Sequence, residues 1–272
     1  MPELPEVETV CQGLEPLVKN RVLEEPLLYY RDVVKHPGPD EFACSIKGEK
    51  ILEVARKGKY LLFFLSGGGR LVVHLGMTGA LVWGEPGEAR NEHLRAVFPL
   101  HGGGGMLFFD SRKFGKIRLE KPGESLSCLE NLGPDWWKEV SLEVFLIKLE
   151  RRPGSRIKPL LMDQCFLCGL GNIYVDEALF RAGIMPERRV VDLSEKEKEN
   201  LFKAVKETLR SGIKAGGTST RNYRNARGEK GHYQEKLLVY GRKGDTCFRC
   251  GTCIERIVVG GRGTHFCASC QA

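Results

Sequence analysis

From Val7 to Val18 the apolar residues Val7, Val10, Cys11, Leu14, Leu17 and Val18 recur three and four positions apart, the spacing of one face of an α-helix. This predicts an amphipathic helix mounted almost at the chain's start. From about Lys47 the period changes. Short apolar runs broken by glycine follow one another (ILEVARKGKYLLFFL, RLVVHLGMTGALVW, HLRAVFPL, GGGGMLFFDSRKFGKIRLE), and such strands with tight turns predict a β-sandwich or barrel. Turn signals in KPGES and LGPDWW mark a boundary within 120–140. Helical spacing then dominates: over 142–151, in a pair around Cys168–Gly183, and in a helix opened by a capping box at Ser194 and Glu197 that runs to about Ile213. Residues 216–235 show no sustained period and read as a long loop, of the kind that is functional or mobile in compact domains.

Composition narrows the class. A chain of 272 residues has length for a substantial core and two domains, and 42% hydrophobic with 28% charged residues is a soluble globular balance. No run approaches the roughly 18 apolar residues of a membrane span, and the start lacks a basic segment followed by an apolar one, so the cytoplasm is the expected address. The net charge of +7 is unevenly spread: residues 201–272 hold 14 Lys/Arg against 5 Asp/Glu, the remainder 28 against 30. A polyanion met chiefly by the C-terminal part is the expected partner. Of ten cysteines, five fall in the last 26 residues with paired spacing, which in a cytosolic chain reads as metal binding rather than disulfides.

Cys247-x-x-Cys250 and Cys267-x-x-Cys270, sixteen residues apart, fit a tetrahedral four-thiolate zinc site on a β-hairpin. Such a closed site is structural, and its metal contributes to folding the module. Cys253 forms an overlapping CxxC with Cys250; Cys165 and Cys168 form another without a second pair and read as packed helix-end thiols. Between the knuckles a Gly-Gly-Arg-Gly turn carries Arg262, either a solvated turn arginine or a ligand contact on a bend where backbone can approach closely. The string CGLGNIYVDEALF reads as a helix, a Gly-x-Gly turn and a second helix from about Asn172, whose start suits an anion, although any helical hairpin carries such a turn. Lys59 follows a glycine at a turn, where lysines are ordinarily only solvated. At the start, Pro2 becomes a secondary amine if Met1 is removed. An α-amine titrates near pH ~8 and can condense with a sugar aldehyde carbon. Equally, Pro and Glu are what any helix favours in its first turn.

MPELPEVETV, the hairpin segments His74-Leu-Gly-Met77-Thr-Gly and Asp110-Ser-Arg112-Lys-Phe114-Gly, the string GLGNIY-x-x-E-A-L-F-x-A-G-I, and the paired knuckles occur together and in that order. The chain so resembles the bacterial formamidopyrimidine-DNA glycosylases, base-excision enzymes that remove oxidised purines. The resemblance implies an α+β fold: an N-terminal catalytic helix and β-sandwich in 1–130, a helix-two-turn-helix DNA-binding domain with a lesion loop in 131–235, and a zinc finger in 236–272. It implies Pro2 as nucleophile, Glu3 handling protons on the sugar, Glu6 supporting the site, Lys59 as proton donor in β-elimination, and Arg262 gripping phosphates and assisting the last elimination. DNA contacts would come from His74, His93, Lys158 near the lesion, Asn172 on a phosphate, and Tyr240, with Met77, Arg112 and Phe114 entering the duplex where the damaged base leaves. One zinc on Cys247, Cys250, Cys267 and Cys270 is implied, leaving Cys253, where the family has proline, a spare thiol. Double-stranded DNA with oxidised bases or abasic sites would be the partner of a monomer. The chain departs from the family at Arg90-Asn91-Glu92-His93, where Lys-His-Asp-His is common, which puts His93 in doubt. Two other readings stand beside this one: an endonuclease VIII-type enzyme for oxidised pyrimidines, disfavoured by the leucine of Pro-Glu-Leu-Pro-Glu and by the 216–235 loop, and a non-enzymatic zinc-dependent DNA-binding protein.

Overall fold

In this computed structural model, which describes residues 1–87, 91–125, 127–219 and 223–272, the chain forms two compact units. The first comprises Met1–Glu130 with Ile213–Gln234, the second Asn131–Gly212 with Glu235–Ala272.

The first unit begins with helix α1 (Leu4–Val18), which buries Leu4, Val7, Val10, Cys11, Leu14 and Val18 as its period predicts. At about 1.5–3 kcal/mol for each large apolar side chain buried, this face is ample to fix the helix. It lies on a nine-stranded β-sandwich. One sheet orders β1 (Leu27–Leu28), β7 (Leu94–Pro99), β8 (Gly105–Phe109) and β6 (Ala80–Gly84). The other orders β2 (Val34–His36), β9 (Lys116–Glu120), β5 (Arg70–His74), β4 (Tyr60–Leu65) and β3 (Ile51–Lys57). Apolar residues of α1, both sheets and the short helix α2 (Pro39–Ile46) share one core, with Phe42, Phe63, Phe98 and Phe108 wholly enclosed. The β3–β4 hairpin closes with Lys57 opposite Tyr60, so its loop is only Gly58-Lys59; Gly58 has φ +57°, a positive value at the first loop position as a type II′ turn needs.

The long loop after the last helix returns to this unit. Ala226 O accepts from Trp83 N at 2.7 Å, and Tyr223 and Ala226 join the sandwich core. A Cβ on Gly13 of α1 would stand 2.7 Å from Ala226 Cβ, so only glycine admits this approach. The loop expected over 216–235 in the helical domain thus groups, as residues 213–234, with the sandwich.

The second unit holds α3 (Leu142–Glu150), α4 (Ile157–Met162), α5 (Asn172–Ala182) and α6 (Glu195–Lys214). Trp136, Phe145 and Phe202 stack with centroids 5.1–6.2 Å apart. The Ser194–Glu197 capping box is present: Glu197 N donates to Ser194 Oγ at 3.3 Å and Ser194 N to Glu197 Oε2 at 2.8 Å. Beside Arg188, the Glu197 carboxyl is held down to about 2. The predicted helix before Gly169 is instead a turn that follows α4. Gln164 organises it, its Nε2 donating to Met162 O and Leu170 O and its Oε1 accepting from Gly169 N. Cys165 and Cys168 lie in that turn rather than at a helix end, and Cys165 is exposed rather than packed. The chain ends in the hairpin β10 (Glu255–Val259) and β11 (Arg262–Phe266). Among the described residues no helix is long and apolar enough to cross a membrane.

Candidate active site and nucleic-acid interface

Pro2 and the N-cap Glu3 lead into α1, whose first turn carries Glu6; all three are buried, while Met1 is 51% exposed. Glu6 is fixed at both carboxylate oxygens: Oε2 accepts from Glu3 N at 2.8 Å and Oε1 from Thr218 N at 2.6 Å. Tyr223 donates its hydroxyl to Glu6 O at 3.1 Å, and burial first, then the Glu6 charge, push its phenol up so that it stays a donor. Gly217, at φ +83°, completes the clamp, because a Cβ there would lie 2.9 Å from Glu6 Cγ and 3.0 Å from Tyr223 Cε1. The loop thus arrives at Glu6 itself. Thr220, Arg221 and Asn222 at its centre lie outside the described residues.

Behind this turn, Glu8 Oε2 accepts from Arg56 Nε at 2.6 Å, both side chains being buried, and Arg56 Nη1 donates to Gly58 O at 2.8 Å. Gln12 holds the second Glu8 oxygen at 2.9 Å. This chain of bonds ties α1 to the loop that carries Lys59, which is itself only 6% exposed. Opposite Tyr60 across the β4–β5 ladder stands His74, its ring 4.7 Å from the tyrosine's. Burial, with the positive charges of Lys59 and Lys116, lowers His74 to about 4. Its Nδ1 accepts from Gly76 N at 3.1 Å, so the neutral ring carries its proton on Nε2, which remains a donor.

Met77, Arg112 and Phe114 come together on two touching loops. Buried Asp110 organises both: Oδ1 accepts from Thr78 Oγ1 and from Arg112 N at 3.1 Å, and Oδ2 from Gly115 N at 2.7 Å. Gly76, at φ +64°, lets the backbones meet, since a Cβ there would stand 2.6 Å from Phe114 C. Met77 is 42% and Phe114 48% exposed, so neither belongs to the core, and the Arg112 guanidinium lies 4.8 Å over the Phe114 ring. His93 sits on the turn before β7, partly exposed, with Nε2 3.5 Å from Glu92 Oε1; Arg90 lies outside the described residues.

In the second unit, Lys158, expected near the lesion, is enclosed by protein. Its side chain is wholly buried, with Nζ 2.6 Å from Asp176 Oδ1, 2.8 Å from Thr264 Oγ1 and 3.3 Å from Gly263 O. The enclosed ammonium locks β11 against α4 and α5. Asn172 Nδ2 donates to the same Gly263 carbonyl at 2.8 Å, leaving one amide hydrogen at the α5 N-terminus. Asp176 Oδ2 accepts from His265 N at 2.8 Å, and Glu177 accepts from the backbone of Leu238, Val239 and Tyr240 at 2.9–3.0 Å. Burial raises the Glu177 pKa against those backbone bonds. Tyr240 packs edge-on to His265 at 5.1 Å. Arg262, at the head of β11, is exposed.

The four sulfurs of Cys247, Cys250, Cys267 and Cys270 lie within 4.8 Å of one another, with Cys247–Cys270 at 3.9 Å and Cys250–Cys267 at 3.4 Å. Zn–S bonds of ~2.3 Å at tetrahedral angles put sulfurs about 3.8 Å apart, so the set fits one structural zinc, and Cys253 stands outside it.

A buried Pro2 leading into a helix with a clamped Glu6 carboxylate, a β-sandwich, a helical unit and a four-thiolate finger together define a class of multi-part α+β proteins with a zinc-type finger. Three family models cover the chain in succession: "Formamidopyrimidine-DNA glycosylase N-terminal domain" over residues 1–117, "Formamidopyrimidine-DNA glycosylase H2TH domain" over 132–224 and "Zinc finger found in FPG and IleRS" over 244–272. Formamidopyrimidine-DNA glycosylases of Bacillus subtilis and Shouchella clausii are each 43% identical over 274 residues, covering 100% of this chain and 99% of theirs. Among solved structures, Lactococcus lactis Fpg bound to abasic-site DNA superposes with a TM-score of 0.91 at 36% identity, covering 99% of each chain, and MutM with carbocyclic 8-oxo-G DNA gives 0.90 at 36% with the same coverage. The chain belongs to the formamidopyrimidine-DNA glycosylase family.

Proposed function

We propose that the protein excises oxidised purines from double-stranded DNA and then cleaves the strand at the resulting abasic site. The observation that carries this is the start of α1, where Pro2 and Glu3 stand beside Glu6, whose carboxylate accepts from Glu3 N and Thr218 N and whose backbone carbonyl accepts from Tyr223. With Met1 removed, the Pro2 nitrogen attacks the sugar's anomeric carbon of an extruded nucleotide, since a stacked base shields that carbon. The base departs with the glycosidic electron pair, Glu3 supplies a proton to the sugar, and an iminium links sugar to enzyme. That iminium acidifies the adjacent sugar hydrogen. Its removal expels the 3′ phosphate, with Lys59 as proton donor, and a second elimination, assisted by Arg262, expels the 5′ phosphate. No metal takes part in these steps; zinc holds the finger that carries Arg262. Neutral His74 Nε2–H, Asn172 and Tyr240 supply phosphate contacts, which position without reading sequence. Met77, Arg112 and Phe114 fill the gap left by the extruded base, whose unstacking costs a few kcal/mol and would otherwise drive its return. We read the working form as a monomer in the cytoplasm, beside the chromosome.

Borohydride added during reaction with an 8-oxoguanine duplex is expected to trap a covalent complex at Pro2, and a peptide extension ahead of Pro2 to abolish trapping while the fold persists. Equal trapping by the extended protein would move the nucleophile to a lysine. Preference for an oxidised-pyrimidine duplex would favour the endonuclease VIII-type reading, and intact strands with tight binding the non-enzymatic one.

A further inference from the structure

At the C-terminal end of α5 lies a pocket of about 340 Å³ lined by Arg181, Ala182, Asn200, Lys203, Ala204, Glu207 and Arg249. Three cations face one carboxylate there. Glu207 is 67% exposed and stands 3.6 Å from Arg181 Nη1, too far for a strong pair. The Arg181 Nε is buried without a hydrogen-bond partner, a costly state unless something accepts from it. Lys203, on the exposed face of α6, has no ion-pair partner among the described residues. Arg249 stacks 4.4 Å over the Phe180 ring and donates from Nη1 to Phe180 O at 3.2 Å. That bond adds to the one Gly183 N already gives the Phe180 carbonyl at 3.1 Å, and uses only one of five guanidinium hydrogens. Capping therefore accounts for part of Arg249 and for none of Lys203.

We propose that this pocket is a second anion site, in which Arg181, Lys203 and Arg249 take the phosphate group of a small molecule apart from the DNA grip. Arginine forks match a phosphate's paired oxygens and lysine adds a point charge. The volume is that of a small-ligand cleft. The two sites do not overlap: α5 runs eleven residues, so its Asn172 end and its Ala182 end are about 15 Å apart at ~1.5 Å per residue. Arg249 also lies between the zinc ligands Cys247 and Cys250, so an occupant would brace the knuckle.

The test is amide NMR of the full-length, zinc-loaded protein saturated with a duplex bearing an uncleavable abasic analogue, titrated with inorganic phosphate. Saturable shifts are expected at Ala182, Lys203, Ala204 and Arg249 with the duplex in place. Lys203→Gln, an exposed and structurally mild change, should weaken phosphate at least about tenfold, a loss of ~1.4 kcal/mol. Shifts that vanish when duplex is bound would put the phosphate on the DNA face and overturn the proposal. So would unchanged affinity in Lys203→Gln, or shifts at these amides on adding duplex alone, which would make DNA the occupant.

Discussion

Glu8→Ala is the sharpest test of how the catalytic helix is coupled to the Lys59 loop. The substitution removes a carboxylate partner of Arg56, whose side chain is 0% exposed and 2.6 Å from the lost oxygen. The bond to the neutral Gly58 O does not replace a carboxylate, and stripping one member from a buried pair costs roughly 3–5 kcal/mol. Against a native stability of about 5–15 kcal/mol, that is a fifth or more. For domains of this size it lowers the thermal midpoint by roughly 6–20 °C. Glu8→Leu with Arg56→Met should recover most of the loss, because apolar replacement of a buried pair is often neutral or favourable. The double variant would still lack the bond from residue 56 to Gly58 O, so its strand cleavage at a preformed abasic site should stay slow even though it folds. Thermal and urea unfolding, with single-turnover cleavage of the folded proteins, separate the two effects. A Glu8→Ala protein within about 1 kcal/mol of wild type, or a double variant as unstable as the single, would refute the reasoning.

Gly217→Ala should slow excision by tenfold or so and lower the midpoint by only several degrees, since it strains a φ of +83° and presses a methyl on Glu6, a cost of about 1–3 kcal/mol; normal single-turnover excision would dissolve the clamp. His74 makes stability fall as pH drops from 6.5 to about 4, because the unfolded chain takes up a proton there that the folded one refuses, by up to ~3 kcal/mol, with no further loss from this group below 4; His74→Gln should flatten that slope in urea titrations. Cys253→Pro should retain one zinc per chain by metal analysis, and loss of metal would make Cys253 a ligand. Phe114→Ala should impair excision from duplex far more than cleavage of a preformed abasic site at little cost in stability; a badly destabilised protein that cuts both substrates normally would return the ring to the core.

The parts of the fold that local pattern controls were legible beforehand: α1 from its apolar spacing, the Ser194–Glu197 cap from two residues three apart, and the finger from paired cysteines. What the sequence hid were long-range decisions. That Ala226 would fit against Gly13 depends on a missing Cβ 213 residues away in the chain, which no window registers. Lys158 reads as a free cation until Asp176 is placed beside it. A signal was present even so: Asp176 and Glu177 interrupt the otherwise apolar IYVDEALF, and acids at core positions call for buried donors, which the structure supplies. Asp110 opens a turn and was legible as a turn residue, but not as the anchor for the facing Thr78.

The β10–β11 hairpin gains something further from the bonds that Lys158 and Asn172 make to the Gly263 carbonyl. A hairpin held only by its zinc end would behave as a cantilever, its tip swinging with every fluctuation of the metal site. Here the strand is pinned beside Arg262 as well, so it resembles a beam supported at both ends, far stiffer at its tip. Metal removal should therefore loosen the hairpin from its root outward, and the Arg262 end should be the last part to lose its place.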